Sequence, residues 1–398
     1  MAAKQHTLPQ GFQTTGVTCG IKDSGLPDLS LFTSDTPATS VGVFTQNQVV
    51  GAPVIVSRGR VPSPSVRGII INSGNANACT GEQGLTDAQR MTAILAEQFT
   101  CDESDVLVCS TGVIGHFLPM PVIENGIRDA FKQLGKSSED LTKAAKSIMT
   151  TDTVEKISSK QIEIDGTLIT VTGVAKGAAM IAPNMATMLS VIMTDCQLET
   201  SLADSMLKQA VNQSFNCISV EGHTSTSDTV LLMANGATGQ GCASEQLQQA
   251  LQSALNEVCS DLAQQIIRDA EGAEHFVRVE VSGLENEDDA RRIAKVVCES
   301  PLVKTAVTGN DPNWGRIVSA AGYAGVPFQE QDLSLRLNDV VIYEWGSPTS
   351  FDESALSKSM ATGEIKIQLE FRLGNEKMTY WTCDLTSEYI RLNADYTT

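Results

Sequence analysis

Strand-like and helix-like segments follow one another irregularly along this chain, and that irregularity narrows its fold more than any one motif does. Gln161-Ile-Glu-Ile, an Asp165-Gly166 turn and Thr167-Leu-Ile-Thr-Val171 read as a hairpin over 161–172, whose second strand runs into Gly173 and Lys176. Helical periodicity marks 86–99, with Thr86 and Gln89 as a capping box and Met91, Ile94, Leu95 and Phe99 on one face. It marks 201–215 through Leu202, Met206, Leu207, Val211 and Phe215. It marks 244–267 most clearly, with Leu247, Leu251, Leu255, Val258, Leu262 and Ile266 in register. Phe276-Val-Arg-Val-Glu-Val-Ser alternates as a strand, a composition shift follows at Leu284-Glu-Asn-Glu-Asp-Asp, and a helix is expected over 287–298. Without a regular βαβ alternation, the pattern predicts α+β layers rather than a doubly wound sheet, with a smaller α/β unit over 284–398.

Composition removes several classes of function. The chain has 398 residues, 41% of them apolar, enough to fill a substantial core. The formal charge of −19 excludes a nucleic-acid surface, because phosphate binding needs a basic face. No run of 18 or more apolar residues occurs, so no membrane span is expected, and Met1-Ala-Ala-Lys-Gln-His-Thr lacks the apolar region of a secretory signal. None of the 10 cysteines forms a Cys-x-x-Cys pair, and Cys259 and Cys298 sit beside valines as core thiols would. A reducing, cytoplasmic setting is expected. No metal constellation is present. Leu134-Gly-Lys-Ser137 mimics the end of a phosphate-binding loop, but the first glycine of that motif would fall at Ala130.

Within Lys176-Gly-Ala-Ala-Met-Ile-Ala-Pro-Asn-Met-Ala-Thr-Met-Leu189, the hydroxyl of Thr187 follows the small Ala186. Thr187 Oγ1 could attack the Ala186 carbonyl, and hydrolysis of the resulting ester would leave an N-terminal threonine. That residue carries a nucleophile and, in its α-amine, a base with a reference pKa of roughly 7.7–8.0. No histidine is then required. The plainer reading is a buried strand entered through a Pro-Asn turn, with Thr187 as one β-branched member. The residues alone leave both readings open.

The wider sequence resembles the ornithine acetyltransferase family, the bifunctional glutamate N-acetyltransferase/amino-acid acetyltransferase of arginine biosynthesis. The resemblance runs nearly end to end. It covers Gly16-Val-Thr-Cys-Gly-Ile-Lys22, Val41-Gly-Val-Phe-Thr-Gln-Asn47, Asn72-Ser-Gly-Asn-Ala-Asn-Ala-Cys-Thr-Gly81, Cys109-Ser-Thr-Gly-Val-Ile-Gly115 and Met149-Thr-Thr-Asp-Thr153. It continues through Ser225-Thr-Ser-Asp-Thr229, Asp269-Ala-Glu-Gly-Ala273, Gly309-Asn-Asp-Pro-Asn-Trp-Gly-Arg316 and Asn393-Ala-Asp-Tyr-Thr-Thr398. Two places depart from pattern. Glu221-Gly222-His223 stands where the family has a more acidic Asp-Gly-Asp loop, and Ala270 replaces a commoner glycine.

The resemblance implies an α-β-β-α sandwich reminiscent of N-terminal-nucleophile hydrolases. It implies self-cleavage between Ala186 and Thr187, giving fragments 1–186 and 187–398, two of each in the assembly. The second fragment would comprise 187–283 and the unit over 284–398. The implied reaction is ping-pong acetyl transfer from N-acetylornithine to glutamate through acetyl-Thr187. No resident cofactor is implied, and acetyl-CoA enters as a co-substrate of some members. Thr111 and Gly112 would hold the oxyanion, while Thr150, Lys176, Thr187, Glu271, Asn393 and Thr398 would contact substrate. Taken singly, Thr111-Gly112 is a turn after a strand, Lys176 a strand-end lysine with its head in water, and Glu271 a solvated helix-end acid. A rival of similar plan is a β-aminopeptidase-like hydrolase with water as acceptor, against which threonine rather than serine argues. A rival of another class is an uncleaved metabolite-binding protein.

Overall fold

In the computed structural model, residues 6–164, 166–182, 188–242 and 244–395 are described. The strand Leu29–Phe44 organises the first sheet. Its first half pairs antiparallel with Phe12–Val17 on one side and Ser63–Asn75 on the other. Its second half pairs antiparallel with Thr229–Ala234. The register breaks between Thr33 and Ala38. Pro37 falls in this break, where a residue without an N–H costs the ladder nothing. Val106–Val113 extends one flank, parallel to Ser63–Asn75. Leu189–Thr194, Thr167–Lys176 and Lys156–Ile164 extend the other. The expected hairpin is present and longer than its alternation suggested, with Lys156 opposite Ala175 and Ile164 opposite Thr167. Asp165, expected in its turn, lies outside the described residues.

Strand alternation sorts the side chains into layers. Phe32, Ile69, Ile71 and Leu107 from one half share a buried cluster with Val174, Leu189, Val191, Met193 and Met233 from the other, so the two halves face each other. The outer face of the first half, with Leu31, Ile70 and Val108, packs on helices Gly81–Phe99 and Met120–Lys132. The outer face of the second, with Ile169, Val171, Ile192 and Leu232, packs on Thr200–Asn212 and Glu245–Arg268. Helix, sheet, sheet, helix is the order of the expected sandwich. Each fully buried Leu, Ile or Met contributes roughly 1.5–3 kcal/mol relative to exposure, so this alternation is the main stabilising term.

Glu245–Arg268 starts where Ser244 Oγ accepts from the Leu247 N–H at 3.2 Å, and it buries all six apolar residues expected on its face. Two helix boundaries differ from expectation. The first helix begins at Gly81 rather than at residue 86, so Thr86 lies inside it and donates to the Glu82 carbonyl instead of capping. Burial of Ala88, Met91, Ile94 and Leu95 against the sheet outweighs the poor helix propensity of the glycines. The helix expected over 201–215 spans Thr200–Asn212, with Phe215 buried in a separate turn.

A second sheet is built around Phe276–Leu284, parallel to Glu364–Phe371 and antiparallel to Glu376–Cys383. Leu333–Leu337, Val340–Glu344 and Ser347–Pro348 extend one side, and Ile218–Ser219 closes the other. Its core is continuous with the underside of Glu245–Arg268. Among the described residues no helix is long and apolar enough to cross a membrane.

Candidate active site

Six separate segments and the C-terminal helix Ser387–Asp395 converge on one cavity, whose lining includes Thr111, Gly112, Thr150, Lys176, Glu271 and Asn393 together with Glu221, His223 and Tyr389. Its volume of about 180 Å³ is below the roughly 300–1,000 Å³ of drug-sized sites and suits a ligand of amino-acid size. Ala186, Thr187 and Thr398 lie outside the described residues. Met188, the residue after Thr187, is buried and donates its N–H to Asp228 Oδ1 at 2.9 Å. Asp228 is itself fully buried, its Oδ2 has no hydrogen-bond partner among the described residues, and burial holds its carboxyl well above the usual range.

Thr111 and Gly112 end the strand Val106–Val113, side by side with Ser73 and Gly74 of the neighbouring strand. Gly112 has φ +130°, and a Cβ there would lie 2.3 Å from the Gly74 carbonyl carbon. Only glycine lets the two strand ends approach so closely, which leaves this corner of the cavity lined by backbone and the Thr111 side chain. The amide-rich loop behind it is a scaffold. Asn72 Nδ2 donates to the Asn75 carbonyl at 2.9 Å, and Asn75 Oδ1 accepts from the Asn77 N–H at 2.8 Å.

Lys176 is buried, so the expectation of a lysine head in water does not hold. Its Nζ donates to Thr150 Oγ1 at 2.9 Å and stands 3.7 Å from Asp152 Oδ2. Asp152 also accepts from the Thr150 N–H at 3.0 Å, the Gly177 N–H at 2.6 Å and Lys156 Nζ at 2.7 Å. Burial alone would raise the Asp152 carboxyl. The Lys176 and Lys156 ammonium groups and the Gly177 N–H overcome it and hold it well below the usual range. Lys156 bridges onward to Asp269 at 2.5 Å. Lys22 lies close by, donating to the Pro27 and Met149 carbonyls at 2.7 Å each. Burial, together with repulsion from Lys176, lowers its amine to about 8 against the pull of Asp28 and Asp152.

Glu271 is held by Asn393, whose Nδ2 donates to Oε2 at 2.9 Å, and its N–H donates to the Ala178 carbonyl. Glu221 Oε1 accepts from the Ile181 N–H at 2.5 Å, while its enclosed Oε2 has no hydrogen-bond partner among the described residues. Burial pushes the Glu221 carboxyl up to about 7, with Glu271 adding to the effect and the Ile181 and Met180 N–H groups and Lys304 opposing it. Burial, then the Glu221 and Glu271 charges, push the Tyr389 phenol up to about 12. The cavity is therefore polarised, with ammonium groups behind Thr150 and carboxyls beside Tyr389. In the sequence, residues 221–223 stand out only as a departure from the family pattern, and Lys22, Asp152, Lys156 and Tyr389 carry no signal of their own. Only the motifs holding Lys22 and Asp152 hinted at them.

The remaining motifs brace this arrangement. His275 Nδ1 lies 2.7 Å from Asp384 and Nε2 lies 3.1 Å from Asn310, tying the 309–316 loop to the segment before the C-terminal helix. Glu274, His275 and Asp384 are the one group of described residues with metal-ligand atoms close together, and Asp384 is already engaged by the Glu274 and His275 N–H groups.

The ArgJ family profile matches residues 13–398. The arginine biosynthesis bifunctional protein ArgJ of Rhodopirellula baltica is 46% identical over 397 residues, covering 99% of this chain and 97% of its own. That of Oceanobacillus iheyensis is 42% identical over 395 residues, covering 98% and 96%. Among solved structures, ornithine acetyltransferase of Mycobacterium tuberculosis, complexed with ornithine, is 37% identical, covers 46% of this chain and 96% of its own, and superposes with a TM-score of 0.41. With a profile match over almost its whole length and relatives this similar from end to end, the chain belongs to the ArgJ family.

Proposed function

We propose that this cavity transfers the acetyl group of N-acetylornithine to glutamate, through an acetyl ester on Thr187, in arginine biosynthesis in the cytoplasm. Acetyl-CoA serves as a second donor, in keeping with relatives that are named bifunctional. The observation that carries this reading is the gathering of Thr111, Gly112, Thr150, Lys176, Glu271 and Asn393 around one cavity in a chain of this family. Thr187 Oγ1 attacks the acetyl carbonyl while the Thr187 α-amine takes the hydroxyl proton. The Thr111 hydroxyl and Gly112 N–H receive the developing oxyanion. The amine returns the proton to the departing ornithine nitrogen. Glutamate then attacks the ester through its own amine, and N-acetylglutamate leaves. Lys176 and Thr150 take the α-carboxylate shared by both substrates, and Glu271, steadied by Asn393, takes the ornithine ammonium.

The free α-amine at Thr187 is made by self-cleavage. Thr187 Oγ1 attacks the Ala186 carbonyl, the peptide becomes an ester, and water releases fragments 1–186 and 187–398, which assemble as two of each. Intact mass of the purified protein should give two fragments, the second beginning at Thr187 and gaining one acetyl group after brief mixing with N-acetylornithine. Thr187→Ala should give one inactive chain. A different new terminus, or a wild-type chain that stays whole, refutes the cleavage, and a fragment that is never acetylated refutes the covalent route.

A further inference from the structure

A single cavity that takes both ornithine and glutamate faces opposite charges at the far end of its ligand. A fixed pair of carboxylates suits the ammonium arm and repels the carboxylate arm. Like charges about 4 Å apart cost about 4 kcal/mol at an effective dielectric of 20. Glu221 shares the cavity with Glu271 and Tyr389, and it differs from Glu271 in one respect. Asn393 holds Glu271 at Oε2, whereas Glu221 is anchored at Oε1 and its enclosed Oε2 has no partner among the described residues. An enclosed carboxylate oxygen without a donor is costly, and the cost is removed by a donor from the ligand or by a proton.

We propose that Glu221 reads the far end of the ligand by changing protonation state: ionised, it accepts from the ammonium of the ornithine arm, and protonated, it donates to the carboxylate of the glutamate arm. This rests on the acetyl-transfer reading above. The titratable and charged groups around it are Glu271, Tyr389, Lys304, Cys383, Glu299 and His223. Lys304 is the cation acting on it among the described residues, and its Nζ is spent on Thr382 Oγ1 and the Cys383 carbonyl. Because burial places the Glu221 carboxyl at about 7, both protonation states are accessible near neutrality. Replacing an ornithine arm by a glutamate arm takes up one proton from solvent onto Glu221, and the reverse exchange releases it. Glu221 is a positioning residue for the arm and touches none of the atoms in the acetyl transfer.

The two acetylated donors provide the test. N-acetylornithine and N-acetylglutamate react with the same free enzyme, neither carries an ionisable α-amine, and they differ only in the arm. The ratio of their kcat/KM values therefore cancels the titration of Thr187. In wild-type protein this ratio should rise about a hundredfold in favour of N-acetylornithine between about pH 6 and about pH 8, about tenfold per pH unit, because one proton separates the two complexes. In Glu221→Gln, fixed as a neutral donor, the ratio should be flat and about tenfold lower than wild type at the upper end. Glu221→Asp keeps the carboxyl and should restore the slope, which a merely structural role would not produce. A flat wild-type ratio, or an unchanged slope in Glu221→Gln, overturns the inference while leaving acetyl transfer standing. Absence of transfer from either donor in wild-type protein overturns the acetyl-transfer reading itself, and this inference with it. Should Glu221→Gln fail to fold, the wild-type ratio together with Glu221→Asp decides.

Discussion

Replacing Lys156 with methionine should cost this protein a large part of its stability and loosen the cavity at the same time. The Lys156 side chain is 0% exposed and lies between Asp152 and Asp269, which are 0% and 5% exposed. With Lys176 the group holds two positive and two negative charges, so it is balanced as it stands. Removing Lys156 leaves two buried carboxylates and one ammonium. Breaking such a pair costs about 3–5 kcal/mol, mostly as the penalty of the charge left behind. That is about a fifth or more of a typical stability of about 5–15 kcal/mol. Asp152 positions the Thr150 N–H, the Gly177 N–H and Lys176, so KM should rise as well. The shift of the urea midpoint at unchanged slope measures the first effect. Lys156→Met combined with Asp269→Asn should recover more than half of the loss, because Asp152 keeps Lys176 and the Gly177 N–H. A single variant that loses under about 1 kcal/mol, or a double variant no better than the single one, would refute this account of the network.

Thr111→Ala should lower kcat by about 10²–10³ with little change in KM, as loss of one oxyanion donor does, and steady-state kinetics that instead raise KM at constant kcat assign it to ground-state binding. Gly112→Ala forces a Cβ against the Gly74 backbone at a positive φ, so it should cost more than about 1 kcal/mol in chemical denaturation and reduce kcat as well. The Asp152 carboxyl is depressed in the fold below its ordinary value of 3.8. Its stabilisation is therefore present above that value and lost as the pH falls through it and below, which acid titration of Asp152→Asn against wild type should show as a shallower decline for the variant.

Features that depend on neighbours in sequence were legible and features that depend on neighbours in space were not. The register of Leu247, Leu251, Leu255 and Val258 follows from helical period alone, because one apolar face must find a core. The 161–172 hairpin follows from alternation around a Asp-Gly turn. Nothing local announces that the register of Leu29–Phe44 breaks around Pro37, where Phe12–Val17 gives way to Thr229–Ala234 as a partner, or that Ile218–Ser219 joins a sheet formed from residues far downstream. The same division runs through the site. Thr111, Thr150, Lys176, Glu271 and Asn393 were named through motifs shared with a family. The titration of Glu221 and the charge balance around Lys156 come from burial and pairing, which no spacing encodes.

The C-terminal helix shows how a local signal can be read correctly and still miss its purpose. The glycine of Asp269-Ala-Glu-Gly suits a helix stop, and the long helix does end at Arg268. The cap, however, is Asp269, and Gly272, three residues beyond it, has another role. At φ +66°, a Cβ on this residue would lie 2.5 Å from the Tyr389 N–H nitrogen. Its carbonyl accepts from Thr386 Oγ1 at 2.6 Å. Those contacts set the helix Ser387–Asp395 directly against the 269–273 turn, which brings Asn393 to Glu271 and Tyr389 to the acidic end of the cavity. A terminal segment otherwise frays. Here it is pinned at its start by Gly272 and along its length by the acid it covers, so the turn that presents Glu271 also fixes the wall that closes over it.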